Sequence, residues 1–159
     1  MNPSSPLLQR GQSIWQTFTD LLDSLRPAAA LSARLYLAQV FFLAGLTKVR
    51  DWDITLLLFT EEYNVPLLSP EVAAVMGTAG ELVLPVLLVL GLAGRFAALG
   101  LSVVNFVAVL SLSDIAPAAL QQHITWGVLL AVLVLYGLGK LTVDCLWIRP
   151  RIERRLGQR

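Results

Sequence analysis

Cysteine, histidine and charged residues are all scarce in this chain, and each shortage excludes a class of site. Cys145 is the only cysteine and His123 the only histidine among 159 residues. One chain therefore cannot form an intramolecular disulfide, a cysteine-based metal cluster, or a haem site held between two histidines. The sequence also has no Gly-rich nucleotide loop, no HExxH motif and no usable Ser/His/Asp set. These absences argue against a self-sufficient hydrolase or a primary pump.

The low charge content excludes an ordinary soluble domain. Only 14% of the residues are charged and 56% are hydrophobic, whereas soluble domains carry about 25% charged residues. The net charge of +1, with no basic patch interleaved with aromatics, predicts no nucleic-acid partner. The apolar residues are gathered into long blocks, which indicates a protein whose main partner is the lipid bilayer.

Four of these blocks are long enough to cross a membrane as helices, because about 20 apolar residues span the hydrocarbon core. We therefore predict an all-α polytopic membrane protein with an antiparallel four-helix transmembrane bundle; three spans plus one interfacial helix is the main rival. A short helix is also expected in the long loop between the first two spans, residues 49–70. The predicted spans are residues 28–48, 71–93, 96–112 and 118–138, with a tight turn at Gly94-Arg95.

The first 27 residues have a different pattern. Between residues 7 and 25, apolar residues recur at spacings of three and four with polar residues between them. This predicts an amphipathic helix lying in the membrane interface, ended by Arg26-Pro27. The chain thus divides into an interfacial segment (1–27), a transmembrane domain (28–140) and a basic cytoplasmic tail (141–159).

The distribution of basic residues predicts the topology. Four spans leave Lys48 and Arg50 on one side and the other ten basic residues on the opposite side. Cytoplasmic loops carry the excess of Lys and Arg, so both termini are expected in the cytoplasm. Arg34, near the start of the first span, is expected to reach outwards to the interface. The ten are Arg10, Arg26, Arg34, Arg95, Lys140, Arg149, Arg151, Arg154, Arg155 and Arg159.

Glu81 is the most informative single residue. It lies in the middle of the second span, where an ionised carboxylate is costly unless it is protonated, paired or hydrated. Pro85 follows four residues later and has no N–H to donate to the Glu81 carbonyl. We therefore predict that Glu81 is the functional centre, acting as a proton relay. The alternative is that Glu81 has only a structural role, in a hydrogen bond or ion pair that fixes the register of the helices.

Four other polar residues are expected to converge on Glu81 and form a ligand-binding path. Lys48 ends the first span and has a stem long enough to reach the carboxylate. Asn105 lies in the middle of the third span, Asp114 at its end, and His123 at the start of the fourth. Facing side chains of this kind build sites inside helical bundles.

Each of these four also has an ordinary structural explanation. Lys48 can simply extend to the interface, and Asn105 can serve as an interhelical hydrogen bond. Asp114 can cap a helix or stabilise a turn, and His123 can be an interfacial residue without a role. No metal site is predicted from these residues.

The first two spans resemble a known family. The segment RLYLAQVFFLAGLTKVRDWD (34–53) is similar to the first-span signature of DoxX membrane proteins, which show an arginine, an apolar stretch, a small-residue motif and a lysine. GTAGELVLPVLLVLGLAGRFAAL (77–99) resembles their second span, with its mid-span glutamate at Glu81. The resemblance extends over about residues 31–140. Residues 34–95 also resemble the DoxX-like proteins of bacterial copper-response gene clusters.

The resemblance implies a four-helix bundle in the bacterial inner membrane and a link to quinone-coupled redox chemistry. Family members otherwise accompany oxidative-stress or metal-associated proteins, so an accessory subunit is a better expectation than an independent enzyme. One hypothesis is a redox accessory protein that binds a quinone, with Glu81 as proton acceptor and Lys48 or His123 orienting the head group. The second is a membrane anchor or assembly partner of a soluble enzyme, and the third is a small proton-coupled transporter, which would need a homo-oligomer.

Overall fold

Five helices make up most of the part of the chain that the computed structural model describes, which is residues 6–139 and residue 142. No strand occurs in this part beyond one isolated β-bridge between Tyr63 and Leu112. Four of the helices are long and apolar enough to cross a membrane, which confirms the all-α polytopic prediction. The helices are α1 (Pro6–Arg50), α2 (Trp52–Glu61), α3 (Pro70–Leu90), α4 (Gly94–Ser111) and α5 (Pro117–Tyr136).

The interfacial segment and the first span form one continuous helix. α1 passes through Pro27 without a break, so the predicted helix end at Arg26-Pro27 is wrong. Proline removes one hydrogen bond, here the one to the carbonyl of Asp23, and this costs least where water can replace it. Asp23 and Arg26 are exposed, and their side chains form a surface ion pair of 2.7 Å. The amphipathic part of α1 is thus an extension of the span, and its position in the membrane interface stays a prediction.

The four long helices close into a ring around one apolar core. α1 packs mainly on α3, α3 on α4, and α4 on α5, while a smaller contact joins α5 back to α1. Leucine and alanine dominate this core, and the alanines Ala97 and Ala98 of α4 are completely buried. Small residues of this kind let helices approach closely in a membrane, where packing replaces the hydrophobic effect as the main attraction.

The connection between α3 and α4 lies earlier than expected. Gly91 adopts a left-handed conformation (φ 68°) and its N–H bonds to the last turn of α3, which is a common way to end a helix. The turn therefore falls at residues 91–93, and Gly94 and Arg95 already belong to α4. The predicted turn at Gly94-Arg95 is wrong, because Gly91 rather than Gly94 supplies the positive φ.

Arg34 does not extend to the interface. Its side chain is 1% exposed, and its guanidinium donates hydrogen bonds to the carbonyl oxygens of Leu88 (3.0 Å) and Val89 at the end of α3. A third bond of 3.5 Å reaches the carbonyl of Leu138, beyond α5. The last carbonyls of a helix have no partner within the helix and carry its negative dipole end. Arg34 therefore joins three parts of the bundle, and the prediction of an outward position is wrong.

The predicted short helix in the loop 49–70 is confirmed as α2. Asp51 begins it, since its side chain accepts from the backbone N–H of Ile54. Phe59 is buried against Ala73 and Ala74 of α3, so α2 covers the beginning of that helix.

The chain after α2 is then attached to the end of α4. The backbone N–H of Asn64 donates to the carbonyl of Ser111 over 2.8 Å, beside the bridge between Tyr63 and Leu112. α2 is therefore held from both sides over one end of the bundle, the end at which α1 finishes.

Candidate functional site

Lys48 and Glu81 form an ion pair inside the bundle. The Nζ atom of Lys48 lies 2.6 Å from Oε2 of Glu81, and the two side chains are 23% and 11% exposed. The last turn of α1 and the middle of α3 supply the two residues. The expected pairing is therefore present, and it compensates the ionised carboxylate where the mid-span position would otherwise make it costly.

A glycine brings the two helices together beside this pair. A Cβ atom at Gly45 would lie 2.9 Å from Leu82 and 3.1 Å from the Cβ of Glu81, both closer than ordinary packing. Only glycine leaves the space for α3 to approach α1 here, three residues before Lys48. Thr55 of α2 adds a further connection, since its hydroxyl donates to the carbonyl of Lys48 over 3.0 Å. Lys48 is thus contacted by α2 at its backbone carbonyl and by α3 at its ammonium group.

The pair keeps unused hydrogen-bonding capacity. An ammonium group has three N–H donors and a carboxylate about four acceptor positions, and only one bond joins them. The arrangement can therefore hold an additional polar group while staying electrically neutral. It can also exchange a proton with such a group through the carboxylate.

Asn105 and His123 form a second, separate pair. The amide of Asn105 donates to the backbone carbonyl of His123 over 3.0 Å, and its oxygen lies 2.8 Å from Nδ1 of the imidazole. Because a carbonyl only accepts, the first bond fixes the orientation of the amide, so Nδ1 must be the donor in the second. The ring of His123 also contacts Trp126 edge-on. This pair connects α4 to α5, as an interhelical hydrogen bond would.

The five predicted site residues are therefore only partly brought together. Lys48 and Glu81 make one pair and Asn105 and His123 another, and no hydrogen bond in the described part of the chain joins the two pairs. Asp114 lies exposed in the turn between α4 and α5. It does not cap α5, whose N-cap is Ala116 without a side-chain bond.

Two residues near the ion pair were not predicted from the sequence. Tyr63, just after α2, has a raised pKa because it is partly buried and because the charges of Glu62 and Glu81 oppose its ionisation. Thr78 lies on α3 three residues before Glu81 and is 4% exposed. The spacing of three residues, which puts two helical side chains on one face, could have indicated Thr78. Nothing in the sequence places Tyr63 near Glu81.

Comparison with protein families agrees with this architecture. The DoxX family model matches residues 29–114, which is more than half of the 159-residue chain. The chain belongs to the DoxX family. The match includes Arg34, Lys48, Glu81 and Asn105, and it ends before α5, so His123 lies outside it. No curated protein and no solved structure matches the chain.

The surface of this DoxX protein also has an apolar groove between α1 and α3. Its volume is about 300 Å³, and it opens to the outside of the bundle. Pro85, one turn along α3 from Glu81, is in its wall, so the groove begins close to the polar site. Gln39 contributes the one amide. The groove is lined by Leu35, Ala38, Gln39, Phe42, Pro85, Val86, Val89 and Leu90.

Proposed function

We propose that this DoxX protein is a membrane accessory subunit that binds the head group of a quinone at the Lys48–Glu81 pair. The partly buried ion pair, in which Nζ of Lys48 lies 2.6 Å from Oε2 of Glu81, carries the proposal. A buried ion pair is often no more stabilising than well-packed apolar residues of the same size. Its place in the middle of a membrane bundle therefore favours a function in ligand or proton handling.

The residues at the site fit a quinone. Lys48 keeps two N–H donors for a carbonyl oxygen of the head group after it has bonded to Glu81. The groove at Pro85 is apolar and opens to the outside of the bundle, as an isoprenoid tail lying in the lipid requires. His123, the other residue considered for orienting the head group, already uses Nδ1 to bond Asn105, so Lys48 is the better supported choice.

A bound quinone would supply two-electron, two-proton redox chemistry, with its electrons exchanged with an electron-carrying partner protein. Within this chain, Glu81 is the proton relay, which would accept a proton from a bound quinol or return one to the quinone, and Lys48 supplies the counter-charge of the carboxylate. Lys48 also orients the head group. The carboxylate oxygen of Glu81 that exchanges the proton therefore lies beside the N–H donors of Lys48 that bind the head group.

The experiment is mass spectrometry of the quinone that co-purifies with the protein in mild detergent. We expect a stoichiometric quinone on the wild type and its loss from Glu81→Gln. The matched control is Glu71→Gln, which removes an exposed carboxylate from the same helix α3 and should retain the quinone. Wild-type protein without quinone, or Glu81→Gln with a full complement, would contradict the proposal.

The exposed first part of α1, residues 12–26, is called the arm below. It favours a second candidate function, in which the protein anchors a soluble partner. Its side chains project from a part of the helix that no other described element covers. If the arm alone carries the function, deleting residues 1–26 abolishes binding of the partner, whereas Glu81→Gln leaves it intact. The exposed apolar residues are Ile14, Trp15, Phe18, Leu21, Leu22 and Leu25.

The orientation is likewise a proposal. The ten-to-two distribution of basic residues supports a multi-pass protein of the bacterial inner membrane with both termini in the cytoplasm. The basic tail, residues 141–159, lies outside the described residues except for Thr142. A reporter fused after Arg159 that is active only in the cytoplasm tests this orientation.

A further inference from the structure

The hydroxyl of Thr78 is the most unusual polar group near the ion pair. The residue is 4% exposed, and its Oγ1 has no hydrogen-bond partner among the described residues. A buried hydroxyl without a partner loses its bonds to water and gains nothing in return, which costs free energy. Such groups are rare and call for an explanation.

Four other threonines in the helices of this chain satisfy their hydroxyls locally. Each donates to the carbonyl oxygen four residues earlier, over 2.8–3.0 Å, in the usual way for threonine in a helix. Thr78 has the same option with the carbonyl of Ala74 and does not use it. Its hydroxyl is therefore available to a group outside α3. The locally bonded residues are Thr17, Thr47, Thr60 and Thr125.

Thr78 lies close along α3 to the glutamate of the ion pair. Thr78 and Glu81 lie on one face of α3, one turn apart. α2 covers this part of α3, since Phe59 packs on Ala73 and Ala74. Tyr63 follows α2, and the negative charge of Glu81 is close enough to contribute to the raised pKa of its phenol. A buried donor without a partner and an ion pair with unused bonding capacity thus lie under the same short helix.

We propose that Thr78 is a further ligand-binding residue, whose hydroxyl donates a hydrogen bond to a carbonyl oxygen of the head group held by Lys48 and Glu81. The proposal rests on the proposed function and narrows its ligand class. A head group with two oxygen atoms can accept from Thr78 with one and from Lys48 with the other. The head group must also be neutral, because Lys48 and Glu81 already compensate each other and an added charge would be buried without a partner.

The test compares three variants of the full-length protein in detergent, after bound lipid and quinone have been removed. Thr78→Val keeps the shape and removes the hydroxyl, and Thr78→Ser keeps the hydroxyl. Thr47→Val is the matched control, because Thr47 is exposed and bonds within its own helix. Decylubiquinone is titrated into each protein and its dissociation constant measured by tryptophan fluorescence. The melting temperature without quinone is recorded in parallel.

We expect Thr78→Val to bind decylubiquinone roughly three- to tenfold more weakly, the loss typical of one neutral hydrogen bond. Thr78→Ser and Thr47→Val should bind within about twofold of the wild type on the same scale. Without quinone, Thr78→Val should melt at the same temperature as the wild type or higher, because it removes a buried hydroxyl that has no partner.

Two results would overturn the assignment of Thr78. One is unchanged binding by Thr78→Val, and the other is a lower melting temperature of the quinone-free variant, which would show that the hydroxyl has a structural partner such as buried water. Glu81→Gln, titrated alongside, separates this failure from that of the proposed function. If Glu81→Gln loses binding and Thr78→Val does not, only the role of Thr78 fails. If the wild type does not bind decylubiquinone, both fail.

Discussion

Arg34 and Lys48 are two basic residues on one helix, about four turns apart, and their surroundings differ. Arg34 is completely buried and donates to backbone carbonyls at the end of α3, which are neutral groups that cannot titrate. Lys48 is partly exposed and pairs with a carboxylate. The planar guanidinium suits a fixed set of acceptors, whereas the ammonium is a point charge on a flexible stem. Several hydrogen bonds to fixed acceptors therefore hold the Arg34 end of the bundle, whereas one bond to Glu81 leaves the ammonium of Lys48 with further donors.

Replacing Arg34 should have the largest effect on stability. Arg34→Leu removes a buried donor from the carbonyls of Leu88, Val89 and Leu138. Leu88 keeps its bond from Gly91, and each carbonyl left without a donor costs about 1–3 kcal/mol. We expect the free energy of unfolding in mixed micelles to fall by about 3–5 kcal/mol. Arg34→Lys should recover only a minor part, because one ammonium cannot reproduce the geometry of the guanidinium.

The control for this prediction is Arg26→Gln, which removes an exposed arginine paired across one turn with Asp23. Its effect should stay within about 0.5 kcal/mol. Equal stability losses in the Arg34 and Arg26 variants would contradict the structural role of the buried guanidinium.

Breaking the ion pair at the other end should cost less. Lys48→Met and Glu81→Gln each leave one partner without its counter-charge, and we expect a loss of about 1–3 kcal/mol, below the value for a fully buried pair. The double variant should be less destabilised than the sum of the two, because neither charge then remains alone. Unfolding of all three variants in mixed micelles measures this coupling. Strict additivity would show that the two side chains act independently.

Two glycines allow a finer test of the packing around the pair. Gly45→Ala inserts a methyl group 2.9 Å from Leu82, and such overpacking costs about 1–3 kcal/mol. Gly77→Ala inserts the same group 3.6 Å from Phe59, an ordinary contact, so the higher helix propensity of alanine should leave stability unchanged or slightly improved. Thermal melting in detergent compares the two. Equal effects would indicate that α1 and α3 have room to separate at Gly45.

The smallest expected effect is on the titration of Tyr63. Its raised pKa means that the phenol stays protonated above pH 10, the ordinary value. The contribution of the protonated Tyr63 to the free energy of unfolding is present below pH 10. It is lost as the pH rises through the pKa of Tyr63 in the folded protein. Glu81→Gln removes one of the opposing charges, so the pKa of Tyr63 should fall. The pKa of Tyr63 is measured as the difference in absorbance at 295 nm between each protein, wild type or Glu81→Gln, and the same protein with Tyr63→Phe. The same titration midpoint for Tyr63 in both would contradict the proximity of Glu81.

Hydropathy was sufficient to predict the helices of the bundle, because the length of an apolar block directly reflects the thickness of the membrane. The end of the first helix could not be predicted, since the effect of Pro27 depends on whether its turn is exposed. The inward position of the Arg34 side chain could not be predicted for a related reason. A long basic side chain can extend to water or turn inwards, and only the position of the α3 carbonyls decides between them.

The sequence predicts those parts of the site that follow from the type of one residue and its position in a span. A carboxylate in the middle of a span needs a counter-charge, and Lys48 was the available cation. Tyr63 and Thr78 could not be assigned in this way, because their relation to Glu81 depends on how α2 folds back over α3. The role of the site residues as ligands stays a prediction.

The unbroken course of α1 has a mechanical consequence. A helix of 45 residues is about 67 Å long, more than twice the thickness of the hydrocarbon core. Gly45, Lys48 and the guanidinium of Arg34 are attached to the same rod as the arm at its beginning. Because no loop lies between that arm and the ion pair, a tilt or rotation of the arm would also move the part of α1 that carries Lys48.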